Sequence, residues 1–213
     1  MGEGEVSQCQ KPHGWLGRLT LWNMNSRHSK VTDWGLSHVA IEAHDTILDV
    51  GCGGGRTVDK LAGVATRGKV FGVDYSPESV AVATKTNRRW IEMDRVEIRE
   101  ASVSALPFAE NTFDLVTAVE THFWWPDLPR GMSEIIRVLK PGGRVVIIAE
   151  LYKGSGTKMA KLAEQYEDRL KGMKLLDAND HRVLFADAGC VGVQIIEKRD
   201  KGWICGVGTK PSA

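Results

Sequence analysis

Ile47-Leu48-Asp49-Val50-Gly51-Cys52-Gly53-Gly54-Gly55-Arg56 is the stretch that decides the fold. Residues 46–50 form a short apolar run that stops at glycines, which predicts a strand entering a tight loop. Residues 56–65 follow with Val58, Leu61, Ala62 and Ala65 on one helical face, so the loop joins a strand to a helix. Glycines at that junction let a ligand approach the backbone closely. Two details bear on the ligand. The third glycine of a G-x-G-x-x-G dinucleotide loop would fall on Arg56. Asp49, two residues before the first glycine, would repel a pyrophosphate and suit a cation.

Working outward, strands and helices alternate. Strands are expected at 69–73, 96–99, 113–119, 144–149, 191–197 and 203–209. Ser76 and Pro77 read as the N-cap and first position of a helix reaching residue 90. A further helix at 127–139 carries Leu128, Met132, Ile135, Ile136 and Leu139 on its apolar face, and Lys140-Pro141-Gly142-Gly143 turns the chain after it. Helices at 157–171 and 178–188 precede the last two strands. The alternation requires right-handed crossovers and a doubly wound, mostly parallel α/β sheet of seven strands. The final pair, joined by Arg199-Asp200-Lys201-Gly202, is expected as an antiparallel hairpin. Ligands of such sheets bind beyond the carboxyl ends of the strands.

Before the first strand, residues 1–14 read as a flexible polar tail. Residues 15–45 read as a helical segment, with Trp15, Leu16, Leu19 and Trp22 on one helix. Val31, Trp34, Leu36 and Val39 fall on a second, and a polar break at 23–30 separates the two. Residues 15–213 are then one domain, with an α/β core from 46 onward. No apolar run reaches the ~20 residues of a spanning helix. The first residues lack the apolar stretch of a secretory signal, so a cytoplasmic location is expected. A net charge of +1 without a basic stripe argues against a nucleic-acid partner. Cys9, Cys52, Cys190 and Cys205 form no CxxC, the histidines form no HExxH, and no metal site is expected. Either a monomer or a homodimer is compatible with this composition.

The motifs now carry a resemblance. Residues 47–55 resemble motif I of the class I S-adenosylmethionine-dependent methyltransferases, and Val70-Phe71-Gly72-Val73-Asp74-Tyr75-Ser76 resembles their second motif. Ala105-Leu106-Pro107-Phe108, Phe113-Asp114-Leu115-Val116 and Arg137-Val138-Leu139-Lys140-Pro141-Gly142-Gly143-Arg144 are similar to later blocks of the small-molecule, UbiE-like branch. The resemblance implies a Rossmann-like core, an N-terminal lid and S-adenosylmethionine as cofactor, with S-adenosylhomocysteine as product. That cofactor carries a sulfonium and an ammonium and no phosphate, in keeping with Asp49. It implies that Asp49, Gly51, Cys52 and Gly53 hold the methionine part. Asp74 would take the ribose, with Tyr75 against the adenine and Ser76 beside it. Where the family often has Gly-Asp, this chain has Ala101-Ser102, so the adenine contact passes to Ser102 or the Val103 backbone. Glu120 is expected near the methionine moiety.

A sulfonium methyl is already activated, so the protein must mainly align the acceptor and exclude water. The acceptor side is Glu120-Thr121-His122-Phe123-Trp124-Trp125-Pro126-Asp127. His122 is the candidate general base or, alternatively, a hydrogen-bonded pocket wall. Trp124 and Trp125 either form an aromatic pocket or pack under the next helix. His28 and Tyr152 are further pocket candidates, from the lid and from the loop after the fifth strand. A small-molecule acceptor is expected. The competing functions are a nicotinamide-dependent oxidoreductase and a non-catalytic S-adenosylmethionine-binding protein.

Overall fold

A computed structural model of the chain describes residues 29–166 and 173–212. Among these residues, helix α1 (Ser29–Leu36) comes first. Strand β1 (Ile47–Val50), helix α2 (Arg56–Val64) and strand β2 (Val70–Asp74) follow. Helices α3 (Pro77–Thr86) and α4 (Arg88–Glu92) lead to β3 (Val96–Glu100) and β4 (Phe113–Val119). A short 3-10 turn (His122–Trp124) precedes α5 (Leu128–Val138) and β5 (Leu139–Ala149). Helices α6 (Lys158–Tyr166) and α7 (Ala178–Asp187) then lead to β6 (Val191–Lys198) and β7 (Trp203–Thr209).

The seven strands form one sheet in the order β3-β2-β1-β4-β5-β7-β6. β1 to β5 run parallel, while β7 pairs antiparallel with both β5 and β6. This is the doubly wound sheet with a C-terminal hairpin that the alternation predicted. The chain order reverses between β1 and β4, so the crevice beyond their carboxyl ends is the switch point. β1 is buried at every position because helices cover both its faces. On one side Val31, Val58, Leu61 and Ala83 pack with Ile47, Leu115, Val146 and Ile148. On the other, Met132, Ile135 and Phe185 pack with Leu48, Val116 and Ile147.

Three local details differ from the pattern. The helix expected through residue 90 breaks at Asn87, whose buried amide donates to Gly55 O and to Ala83 O, both at 2.9 Å. This side chain competes with the helical ladder and ties α3 to the first loop. The fifth strand starts at Leu139, not Arg144. Leu139 pairs with Phe113, and the Pro-Gly-Gly segment is a register irregularity within the strand pair. Finally, Ser29 and Lys30, expected in a polar break, are helical.

The described part of the expected lid packs on the sheet. A Cβ on Gly35 would lie 2.5 Å from carbons of Ile148, and Trp34 meets Trp203 at 5.8 Å between ring centroids. Residues 15–28 and the tail lie outside the described residues, and so do Trp15, Trp22, His28 and Cys9.

Candidate active site

The first loop is closed by its own backbone. Gly51 and Cys52 N–H both donate to Val73 O, at 2.8 and 2.9 Å, and Gly55 N–H returns to Cys52 O at 2.8 Å. Gly51 has φ +70°, and a Cβ there would fall on the Thr121 hydroxyl and within 2.7 Å of its Cβ. Only glycine lets the loops after β1 and β4 close on each other at the switch point. Gly55 has φ +79° at the start of α2, where a Cβ would lie 2.8 Å from Ala83 Cα. The tight turn therefore also sets how α2 and α3 pack.

The second loop is wired to the first through Asp74. Its carboxylate accepts from Gly53 N–H at 2.9 Å and from Ser76 N–H at 3.0 Å. Burial raises its pKa above the ordinary carboxylate value, and these amides oppose the rise. Ser76 is fully buried and caps α3 by accepting from Ser79 N–H.

Asp49 sits beneath the loop. Its Cα pairs with Thr117 across the β1–β4 ladder, and Thr117 Oγ1 donates to its carboxylate at 2.6 Å. Burial pushes its pKa up to about 7, the Thr117 hydroxyl opposes this, and Asp74 adds to it. Cys52 is buried beside both acids. Its thiol is raised well above the ordinary value by burial, then by Asp74 and Asp49, so it stays protonated and is no nucleophile.

These loops border a cavity of about 420 Å³. Val50 and Gly51 line it from the first loop, Asp74 and Tyr75 from the second, and Ala101, Ser102 and Val103 from the third. The other wall is Thr121, Trp124, Trp125, Pro126 and Lys174. Trp125 does two things at once. It lines the cavity, and its ring lies under α5, where a Cβ on Gly131 would meet Trp125 Cε3 at 2.8 Å.

Of the residues singled out from the sequence, Gly51, Asp74, Tyr75, Ser102, Val103 and Trp124 line this cavity. Asp49, Cys52, Gly53, Ser76 and Glu120 are not among the lining residues. Glu120 has φ +58°, uncommon for a residue with a side chain, and its carboxylate accepts from Glu150 N–H, joining the ends of β4 and β5. Tyr152 is buried with Phe123, Ala149 and Ile204 and is not part of the lining.

His122 also stands behind the wall. It is fully buried, and its Nε2 lies 3.1 Å from Nε2 of His181, itself fully buried on α7. His181 Nδ1 is 2.7 Å from Asp177 O, so that nitrogen carries a proton and donates to the carbonyl. His181 Nε2 is then the acceptor and His122 Nε2–H the donor. His122 Nδ1 is left as a lone pair with no partner among the described residues. Burial and then His181 hold His122 well below the usual imidazole value, so the ring is neutral.

Two contributors escaped the motif reading. Lys174 follows residues with no motif and reaches the wall because its N–H donates to Phe123 O at 2.9 Å. His181 lies on a helix with no matching block. Chain distance hid both.

Comparison with known proteins agrees with this architecture. A methyltransferase domain model matches residues 48–147. The demethylmenaquinone methyltransferase of Lactococcus lactis subsp. lactis is 34% identical over 169 residues, covering 70% of this chain and 67% of that protein. The same-named enzyme of Lactiplantibacillus plantarum is 37% identical over 123 residues, 57% of this chain and 51% of its own. The chain spans about half the length of several curated relatives it matches. A putative methyltransferase of Haloferax volcanii, solved with the Trm112 activator, superposes with a TM-score of 0.78 at 22% identity, covering 98% of this chain and 100% of that one. Geranyl diphosphate C-methyltransferase from Streptomyces coelicolor A3(2) superposes at 0.70 with 17% identity, over 98% and 90% of the chains. The chain belongs to the class I S-adenosylmethionine-dependent methyltransferases.

Proposed function

We propose that this protein moves a methyl group from S-adenosylmethionine to a small-molecule acceptor bound in the 420 Å³ cavity. One observation carries the proposal. The cavity opens at the β1–β4 switch point with a buried carboxylate, Asp74, on one side and indole rings on the other. A nucleoside needs such a carboxylate for its ribose hydroxyls, and a methyl acceptor needs a dry wall to lie against.

The residues present fit the cofactor. Asp74 would accept from the ribose hydroxyls, with Tyr75 along the adenine face. Ser102 and the Val103 backbone would meet the adenine edge; the Ser102 hydroxyl already accepts from Ser104 N–H at 3.2 Å and keeps its own proton to donate. Gly51 and Gly53 give the methionine part close access to backbone, with Cys52 and Ser76 as buried supports. Asp49 would face the cationic part from below the loop, and Glu120 would hold the chain ends around it. When bound, the cofactor supplies an activated methyl on a sulfonium, so the protein's work is orientation and exclusion of water. Trp124 would position the acceptor. His122 would serve as base only if its Nδ1 lone pair reached the acceptor, and Tyr152 would support the same wall.

The names of several relatives state methyl transfer involving demethylmenaquinone or 2-phytyl-1,4-naphtoquinone for those proteins. A planar acceptor of that kind suits an indole wall here. We further propose a single domain over residues 15–213. Among the described residues no helix is long and apolar enough to cross a membrane.

Calorimetry with S-adenosylhomocysteine and with NAD, followed by an acceptor screen with methyl-labelled cofactor, tests the proposal. Binding of S-adenosylhomocysteine with transfer of label is expected. Binding of NAD alone would overturn it.

A further inference from the structure

The cavity has two chemically different sides, and among the described residues that line it the acceptor side carries one charge. On the cofactor side the lining carboxylate is Asp74, already engaged by the Gly53 and Ser76 amides. On the other side Thr121, Trp124, Trp125 and Pro126 carry no charge, and Lys174 is the cation beside them. Its backbone is held in place. Lys174 N–H donates to Phe123 O, two residues on Leu176 O accepts from Lys153 N–H at 2.9 Å, and Leu175 between them is buried. Among the described residues, the Lys174 ammonium makes no hydrogen bond or ion pair.

Among the described residues that line it, the same wall has no side-chain base. His122 is buried behind it with Nε2 bonded to His181. A neutral hydroxyl attacks a methyl sulfonium poorly, so either a base must remove its proton or the site must favour its anion. A cation at the rim of an apolar cleft does the second, because attraction grows as water is excluded.

We infer that Lys174 is the counter-ion for an acceptor bearing an acidic hydroxyl, a phenol or enol bound as its anion against the indole wall. The inference rests on the cofactor reading above. The hydroxyl proton leaves to solvent before transfer. An oxygen lone pair then forms the new bond to the methyl carbon. The methyl–sulfur bond breaks with its electron pair going to sulfur, so one anion and one sulfonium become a neutral ether and a neutral thioether.

A spectrophotometric pH titration of 4-nitrophenol in the full chain saturated with S-adenosylhomocysteine tests this. The phenol is expected to bind and to ionise about tenfold more readily than in water. Lys174→Arg should keep that shift. Lys174→Met should abolish it while S-adenosylhomocysteine affinity, measured by calorimetry, stays at the parent value. No binding of 4-nitrophenol, an unchanged ionisation in the parent chain, or an equal shift in Lys174→Met would overturn the inference and leave the cofactor reading standing. Failure to bind S-adenosylhomocysteine would overturn the cofactor reading and this inference with it.

Discussion

The two halves of the site are built by different means. The half after β1 and β2 is made of backbone: four loop amides donate to Val73 O and to Asp74, and positive φ values at Gly51, Gly53 and Gly55 shape the first loop. The half after β4 is made of side chains, with two indoles, a buried imidazole pair and one lysine drawn from distant parts of the chain. A backbone site tolerates little change where a Cβ would intrude, as at Gly51 and Gly55. A side-chain site can change acceptor by substitution without disturbing the cofactor half. That division makes one cofactor usable with many acceptors.

The sharpest way to break the contrast is Gly51→Ala. Its Cβ would collide with Thr121 and its φ would become strained, so S-adenosylhomocysteine affinity should fall about a hundredfold, or about 2.7 kcal/mol. Calorimetry checks this, and a near-parent affinity would show that the loop yields and is not set by backbone.

On the side-chain half, His181→Leu removes the acceptor of the His122 Nε2–H. Leaving that buried donor unpaired should cost about 1–3 kcal/mol in denaturant unfolding, with His181→Gln costing less and cofactor affinity near the parent value. An unmoved unfolding midpoint would mean that the imidazole pair holds nothing together.

Asp74→Ala should weaken S-adenosylhomocysteine binding at least tenfold, about 1.4 kcal/mol. Unchanged affinity in calorimetry would confine Asp74 to its two amide bonds.

The smallest effect concerns Asp49. Its carboxyl, facing Asp74 and bonded by Thr117, titrates at about 7 in the free protein. A cation bound nearby favours the ionised form, so binding releases a proton and tightens as pH rises toward 7, then levels off. S-adenosylmethionine affinity should rise about fivefold from pH 6 to pH 8 in the parent chain and stay flat in Asp49→Asn. The stability linkage has the opposite sense. The folded carboxyl holds its proton above the ordinary 3.8, so its contribution to stability is lost as pH rises from about 4 through 7. A flat binding profile in the parent chain would show that Asp49 does not sense the ligand charge.

Much of the cofactor half was legible before any coordinates. The glycine loop, the acid ending β2 and the strand–helix alternation are local patterns, and local patterns survive in sequence. The charge of Asp49 was legible as a residue type. Its burial against Thr117, which leaves it only partly ionised near pH 7, was not, because the partner lies across the sheet on β4. The break at Asn87 and the early start of β5 were hidden for a similar reason. In each case a contact made in the folded chain overrides the local preference. His122 was visible as an imidazole after β4, whereas its bond to His181 needed α7 to dock beside it.

Periodicity and glycine spacing were enough to define the sheet and its switch point, while the cofactor was implied by the resemblance of the ordered motif blocks to the class I methyltransferases. These depend on neighbours within a few residues and on handedness rules that hold for any chain. Which side chains line the cavity, and that Lys174 beyond α6 is among them, were settled by packing. Packing joins residues that chain order keeps far apart.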